Sequence, residues 1–140
     1  MVKKRVLGLL FALIVCVSGM GAASAAESTI EPYWVQLLSI ECTLTASDSW
    51  FSNTHVDAGA RCKSASYDAT ITVSILKKDG SQYVSTGISW TDGPRTAVDV
   101  DKKFSLDPGN YIARCVAVVT DSAGRVVETV TKDSYSYIVS

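Results

Sequence analysis

The sequence predicts an all-β domain, an antiparallel two-sheet sandwich of about seven strands, occupying residues 33–140. Three observations predict it. Apolar and polar residues alternate with period two along several β-branched runs. Gly, Pro and Asp clusters punctuate those runs at short intervals. Helical spacing is absent from every comparable stretch after Ala26.

The elements follow in order. Strands are expected at about 35–46, 57–66, 69–77, 83–90, 96–106, 110–120 and 125–138. In the first, Ile40, Cys42, Leu44 and Ala46 alternate with Glu41, Thr43, Thr45 and Ser47. In the third, Ile71, Val73 and Ile75 alternate with Thr70, Thr72 and Ser74. In the fifth, Val98, Val100, Phe104 and Leu106 share one parity, broken by Lys102, against Asp99, Asp101, Lys103 and Ser105. Lys78-Asp79-Gly80-Ser81 is a hairpin turn, because Asp-Gly tolerates positive φ. Asp92-Gly93-Pro94, Asp107-Pro108-Gly109 and Ala123-Gly124 mark further breaks. Seven short strands so punctuated suit a sandwich, with an eight-stranded barrel as the alternative.

Leu106-Asp107-Pro108-Gly109-Asn110-Tyr111 leads into the strand at 110–120. An acidic-Pro-Gly-x-Tyr corner before a long strand resembles the penultimate strand of immunoglobulin-like domains. Tyr111 lies four residues before Cys115, on the same face, whereas the antibody spacing is two. Other pieces extend the likeness: Glu31-Pro32-Tyr33-Trp34, Cys62, Trp90, Pro108-Gly109-Asn110-Tyr111, Glu128-Thr129-Val130-Thr131 and Tyr135. In their order the chain resembles an uncharacterised family of small secreted proteins of Gram-positive bacteria, with a longer loop at Asp48 to His55. The resemblance implies secretion and an immunoglobulin-like sandwich, and carries over no catalytic residue. By the same likeness Cys62 and Cys115 stand where such sandwiches staple their sheets, so the expected bridge is Cys62–Cys115, with Cys42 outside it. A Cys42–Cys62 bridge, or three reduced buried thiols, are the alternatives.

The N-terminus sets the expected compartment. Lys3, Lys4 and Arg5 precede an apolar run from Val6 to Val17, and Ala23-Ser24-Ala25 offers small residues for cleavage between Ala25 and Ala26. This is the layout of a signal peptide, expected as a helix over 1–25, and the run is short for a membrane span. A membrane anchor, or lipid attachment at Cys16, is the alternative. Cleavage would leave a loose arm at 26–32 and a single domain at 33–140. Removing three basic residues leaves 10 basic against 14 acidic ones. That balance gives no electrostatic reason to bind nucleic acid or anionic lipid. The expected product is a secreted monomer with no membrane span after signal removal.

Candidate chemistry is sparse. His55 is the only histidine, and no nucleophile motif, zinc ligand set or phosphate loop is present. Asp99 and Asp101 share a strand face and read as solvated rather than as calcium ligands. No enzyme activity and no cofactor is expected. Ser47 to His55 instead places Trp50 and Phe51 in a polar loop. The plainer expectation is that both rings fold back to cap the sandwich. The sharper one is that Trp50, Phe51, Asn53 and His55 form a binding loop for an extracellular protein or glycan. The expected function is a non-catalytic interaction module at the cell envelope or outside the cell. An exported hydrolase with an unrecognised active site, or a carbohydrate-binding module using Trp50 and Phe51, is the alternative.

Overall fold

The computed structural model describes residues 34–140. The signal peptide at 1–25, its cleavage point at Ala25 and Ala26, the lipidation alternative at Cys16 and the arm at 26–32 lie outside the described residues. Eight strands follow: β1 (Leu37–Ala46), β2 (Thr54–Cys62), β3 (Asp68–Asp79), β4 (Gln82–Arg95), β5 (Ala97–Phe104), β6 (Gly109–Thr120), β7 (Val126–Asp133) and β8 (Tyr137–Val139). One sheet runs β1-β2-β5 and the other β4-β3-β6-β7, with β8 beside the start of β6. Every pairing is antiparallel. Two such sheets, with the chain crossing between them after β2, β4 and β5, make an immunoglobulin-like sandwich.

The alternation in the sequence selects the inner faces. Ile40, Cys42 and Leu44 of β1, Ile71, Val73 and Ile75 of β3, and Val98 and Val100 of β5 are all buried. Val56 and Val119 join them from β2 and β6. Each such aliphatic side chain contributes about 1.5–3 kcal/mol when taken fully out of water. Alanines at 58, 60, 69, 113 and 117 fill the positions between them.

Several boundaries differ from expectation: β2 ends at Cys62 rather than at 66, and three further differences have a pairing reason. β2 starts at Thr54, because Thr54, His55 and Val56 pair with Ala46, Thr45 and Leu44 and shorten the preceding loop. β4 runs on through Asp92-Gly93-Pro94 before the chain changes sheets. Gly93 (φ 114°) makes this possible, since a Cβ there would lie 2.5 Å from the Ala69 carbonyl oxygen. The last expected strand divides at Ser134. The Ser134 N–H donates to the Ala113 carbonyl (2.8 Å), and its hydroxyl accepts the Ala113 N–H (2.9 Å). A serine side chain thus stands in for one rung of the ladder, and the strand resumes as β8.

The bridge is Cys42–Cys115, with Cα atoms 6.2 Å apart, and Cys62 is a buried free thiol. The Cys62–Cys115 expectation is therefore corrected. On β2 the residue level with Cys42 is Ala58, whereas Cys62 pairs with Leu37 at the far end of the strand. Four residues along a strand is about 13 Å, which removes Cys62 from the level of Cys115. Burial pushes the Cys62 thiol pKa up, so it remains a protonated apolar filler.

The two long seams between the sheets are closed by carboxylates. Glu128 on β7 accepts the backbone N–H groups of Val35 (2.8 Å), Gln36 (3.0 Å) and Leu37 (3.2 Å). Lys132, also on β7, donates to the Ile40 carbonyl (3.1 Å). On the opposite seam Asp92 of β4 accepts the Asp99 N–H of β5 (3.0 Å) and pairs with Arg95. The outer edges of the smaller sheet thereby have ladder groups occupied, which hinders pairing with another chain.

Candidate functional site: an exposed aromatic tip on a pinned loop

Residues 47–53 connect β1 to β2. Serine chemistry shapes the turn. The Ser47 hydroxyl accepts the Ser49 N–H (3.1 Å) and meets the Ser52 hydroxyl (2.8 Å), and the Ser49 hydroxyl accepts the Phe51 N–H (3.3 Å). Short hydroxyl-to-backbone bonds of this kind substitute for ladder bonds in tight turns.

Asn53 fixes the base of the loop. Its amide nitrogen donates to the Leu106 carbonyl (2.8 Å), and its amide oxygen accepts the Leu106 N–H (2.9 Å) and the Thr54 hydroxyl (2.7 Å). Thr54 is completely buried. The Asn53 carbonyl accepts the Tyr137 hydroxyl from β8 (2.9 Å), and the Phe51 carbonyl accepts the Ser105 hydroxyl (3.3 Å). The corner that follows is held by Tyr111, whose hydroxyl donates to the Asp107 carbonyl (2.8 Å). This is the tyrosine-corner arrangement of immunoglobulin-like domains. An ion pair and a polar contact flank the loop: Lys103 with Asp48 (2.5 Å), and His55 Nε2 with Asp101 Oδ1 (2.6 Å). The Lys103 hydrogen bond, with its charge, holds the Asp48 carboxyl below the usual carboxylate range.

Above this frame stand Trp50 and Phe51, 90% and 79% exposed. Their ring centroids are 4.6 Å apart and their planes are inclined by 44°. Neither ring caps the open end of the sandwich, so the fold-back expectation is corrected. The core beneath is already closed by Leu44, Val56, Leu106 and Tyr111. Of the four residues expected to form the loop site, Trp50 and Phe51 share the tip. Asn53 is consumed in the frame, and His55 lies on β2, outside the loop. Sequence reading missed the supporting partners Leu106 and Tyr137, which are 53 and 84 residues away from Asn53.

Open concavities lie elsewhere on the domain. One, of about 410 Å³, crosses the outer face of the smaller sheet, where Gly59 leaves a gap between Glu41 and Asp99. Another, about 340 Å³, lies between β4 and the 105–107 connection, with the Lys77 ammonium 5.8 Å from the Tyr111 ring centroid. Among the described residues, no group of three or more His, Cys, Asp or Glu side chains is placed to hold a metal ion.

Fold and site together define an immunoglobulin-like β-sandwich with a disulfide between its sheets and a rigidly based aromatic tip. No known family model matches the sequence, and no curated protein matches it significantly.

Proposed function

We propose that this chain is an exported, non-catalytic interaction module that engages its partner through Trp50 and Phe51. The exposure of two adjacent aromatic rings on a pinned loop carries the reading. Large aromatic side chains are the residues that most often anchor binding, and a rigid base lowers the entropy lost when they are buried. The signal-like N-terminus supports export, as does a disulfide, which is compatible with an oxidising compartment. The likeness to small secreted Gram-positive proteins agrees with it. The polar side chains beside the tip are already spent on the frame, which supports an apolar partner surface over a sugar.

Two measurements test the proposal. Intact mass of the protein recovered from culture medium should correspond to a chain starting at Ala26. A lipid-modified Cys16 or a retained Met1 would overturn the export assignment. Purified protein, presented to envelope fractions and a glycan array, should be retained by envelope material, and Trp50→Ala with Phe51→Ala should abolish retention. Retention unchanged in that double variant would overturn the assignment of the tip.

A further inference from the structure

Resting on that reading, we propose that the partner of the Trp50–Phe51 tip is the lipid–water interface of a bilayer. The tip inserts its two rings below the headgroups while the sandwich stays in water.

The chemistry around the rings selects this partner. A specific protein interface carries roughly one hydrogen bond per 100–200 Å² and needs directional polar groups around its apolar centre. The polar side chains of the loop already have partners within the chain. Both amide atoms of Asn53 are bonded to Leu106, Asp48 is paired with Lys103, and His55 with Asp101. The hydroxyls of Ser47, Ser49 and Ser52 are engaged within the loop. A sugar needs a flat ring platform with free polar side chains beside it, and rings inclined by 44° form no common plane. A bilayer interface requires neither register nor directional bonds. It rewards apolar area and favours tryptophan, whose ring is apolar with one polar N–H.

The exposure agrees. Trp50 and Phe51 are adjacent at the tip of the 47–53 loop and stand 90% and 79% exposed. Charge sets the lipid preference. Lys103, beside the loop, is already paired with the Asp48 carboxylate. Attraction to anionic headgroups is therefore not the driving force, and binding should respond little to salt.

The test uses the purified protein with phosphatidylcholine vesicles, read by co-flotation and by tryptophan emission. Two rings anchor more weakly than a fatty acyl chain, so titration should extend to roughly 10 mM lipid. Partition with a blue shift is expected. Trp50→Phe should keep partition but lose most of the shift, because Trp34 and Trp90 already pack against the core. Trp50→Ser with Phe51→Ser should weaken partition by about tenfold or more, with an unchanged melting temperature showing that the variant is folded. Adding phosphatidylglycerol or salt should alter partition by less than about twofold. No partition across the titration, or equal partition by the double variant, would overturn the lipid assignment. So would partition that appears only with anionic lipid and disappears in salt. If vesicles fail while tip-dependent retention by a protein or glycan persists, only the lipid assignment falls. If both fail, the interaction reading falls with it.

Discussion

The two ends of the sandwich are finished in opposite ways. At the end where β1 begins and β4 hands over to β5, polar side chains reach across the seams and tie up backbone groups. Glu128 takes three N–H donors, Asp92 takes one, and Gly93 allows β4 to run directly against Ala69 and Thr70. At the other end the backbone is pinned just as thoroughly, through Asn53, Ser105, Tyr111 and Tyr137. Yet that frame carries two large rings out into solvent. One end spends its side chains on stability; the other spends its frame on presenting surface. Substitutions at the first end should therefore change melting and leave binding alone, and substitutions at the aromatic tip should do the reverse.

The largest effect should come from the staple between the ends. Replacing Cys42 and Cys115 by alanine opens a link between positions 73 residues apart. On the chain-entropy model this costs about 4 kcal/mol, measurable by denaturant unfolding. Cys62→Ala should cost about 1 kcal/mol, as the loss of a small buried group. Non-reducing peptide mapping should join Cys42 to Cys115, and Cys62 should resist thiol reagents until the protein unfolds. Gly93→Ala comes next. It places a Cβ 2.5 Å from the Ala69 carbonyl oxygen and 3.0 Å from Val98 Cγ1, at a φ of 114°. A loss of roughly 2–4 kcal/mol is expected from clash and strain together. Wild-type stability in Gly93→Ala would show that the sheet crossover can move.

The staple also shows how far the sequence could be read. Period two located the strands and their inner faces, since Val98, Val100, Ile71, Val73 and Ile75 sit in the core as the alternation requires. The hairpin at Asp79-Gly80 and the Tyr111 corner were legible because their chemistry is local. Which strand lies across β6 was not. Cys42 and Cys62 both fall on the apolar parity, and only the pairing of Cys62 with Leu37 at the strand end separates them. The loop behaved likewise. Trp50 and Phe51 stood out by composition. The fate of Asn53 depended on Leu106, 53 residues on, which no local pattern connects to it. The Glu128 clamp was invisible for the same reason, because its partners are more than 90 residues away.

Glu128→Gln sharpens the contrast on a smaller scale. The glutamine keeps one oxygen acceptor and brings an NH₂ group to face N–H donors. A loss of about 1–2 kcal/mol is expected, with faster amide exchange confined to Val35, Gln36 and Leu37. Protection unchanged at those three amides would remove the clamp from the account. Asp92 gives a weaker effect of the same type. The Arg95 hydrogen bond, followed by the Asp99 N–H, holds its carboxyl below the usual range. A depressed folded-state pKa means that the stabilisation is present above the ordinary aspartate value of about 3.9 and is lost as pH falls below it. Because the pair is exposed, its share is small. Asp92→Asn should therefore reduce the acid sensitivity of unfolding only slightly, and only below about pH 4.

The smallest stability effect is the most telling one. Trp50 and Phe51 touch each other and are otherwise in water, so removing either ring takes little from the core. Trp50→Ala and Phe51→Ala should each shift unfolding by no more than about 0.5 kcal/mol, the usual range for surface positions. Asn53→Ala in the same loop should cost about 2 kcal/mol or more, because it strands both the Leu106 N–H and the Leu106 carbonyl. The two outcomes divide a seven-residue loop into a tip that can be exchanged freely and a base that cannot. If Trp50→Ala melts the protein as severely as Asn53→Ala does, the ring is part of the scaffold. The opposition between the two ends then disappears. If the tip variants remain folded and more soluble, exposed aromatic surface has been kept at a cost in solubility. A rigid base beneath a dispensable tip is what a presented binding surface requires.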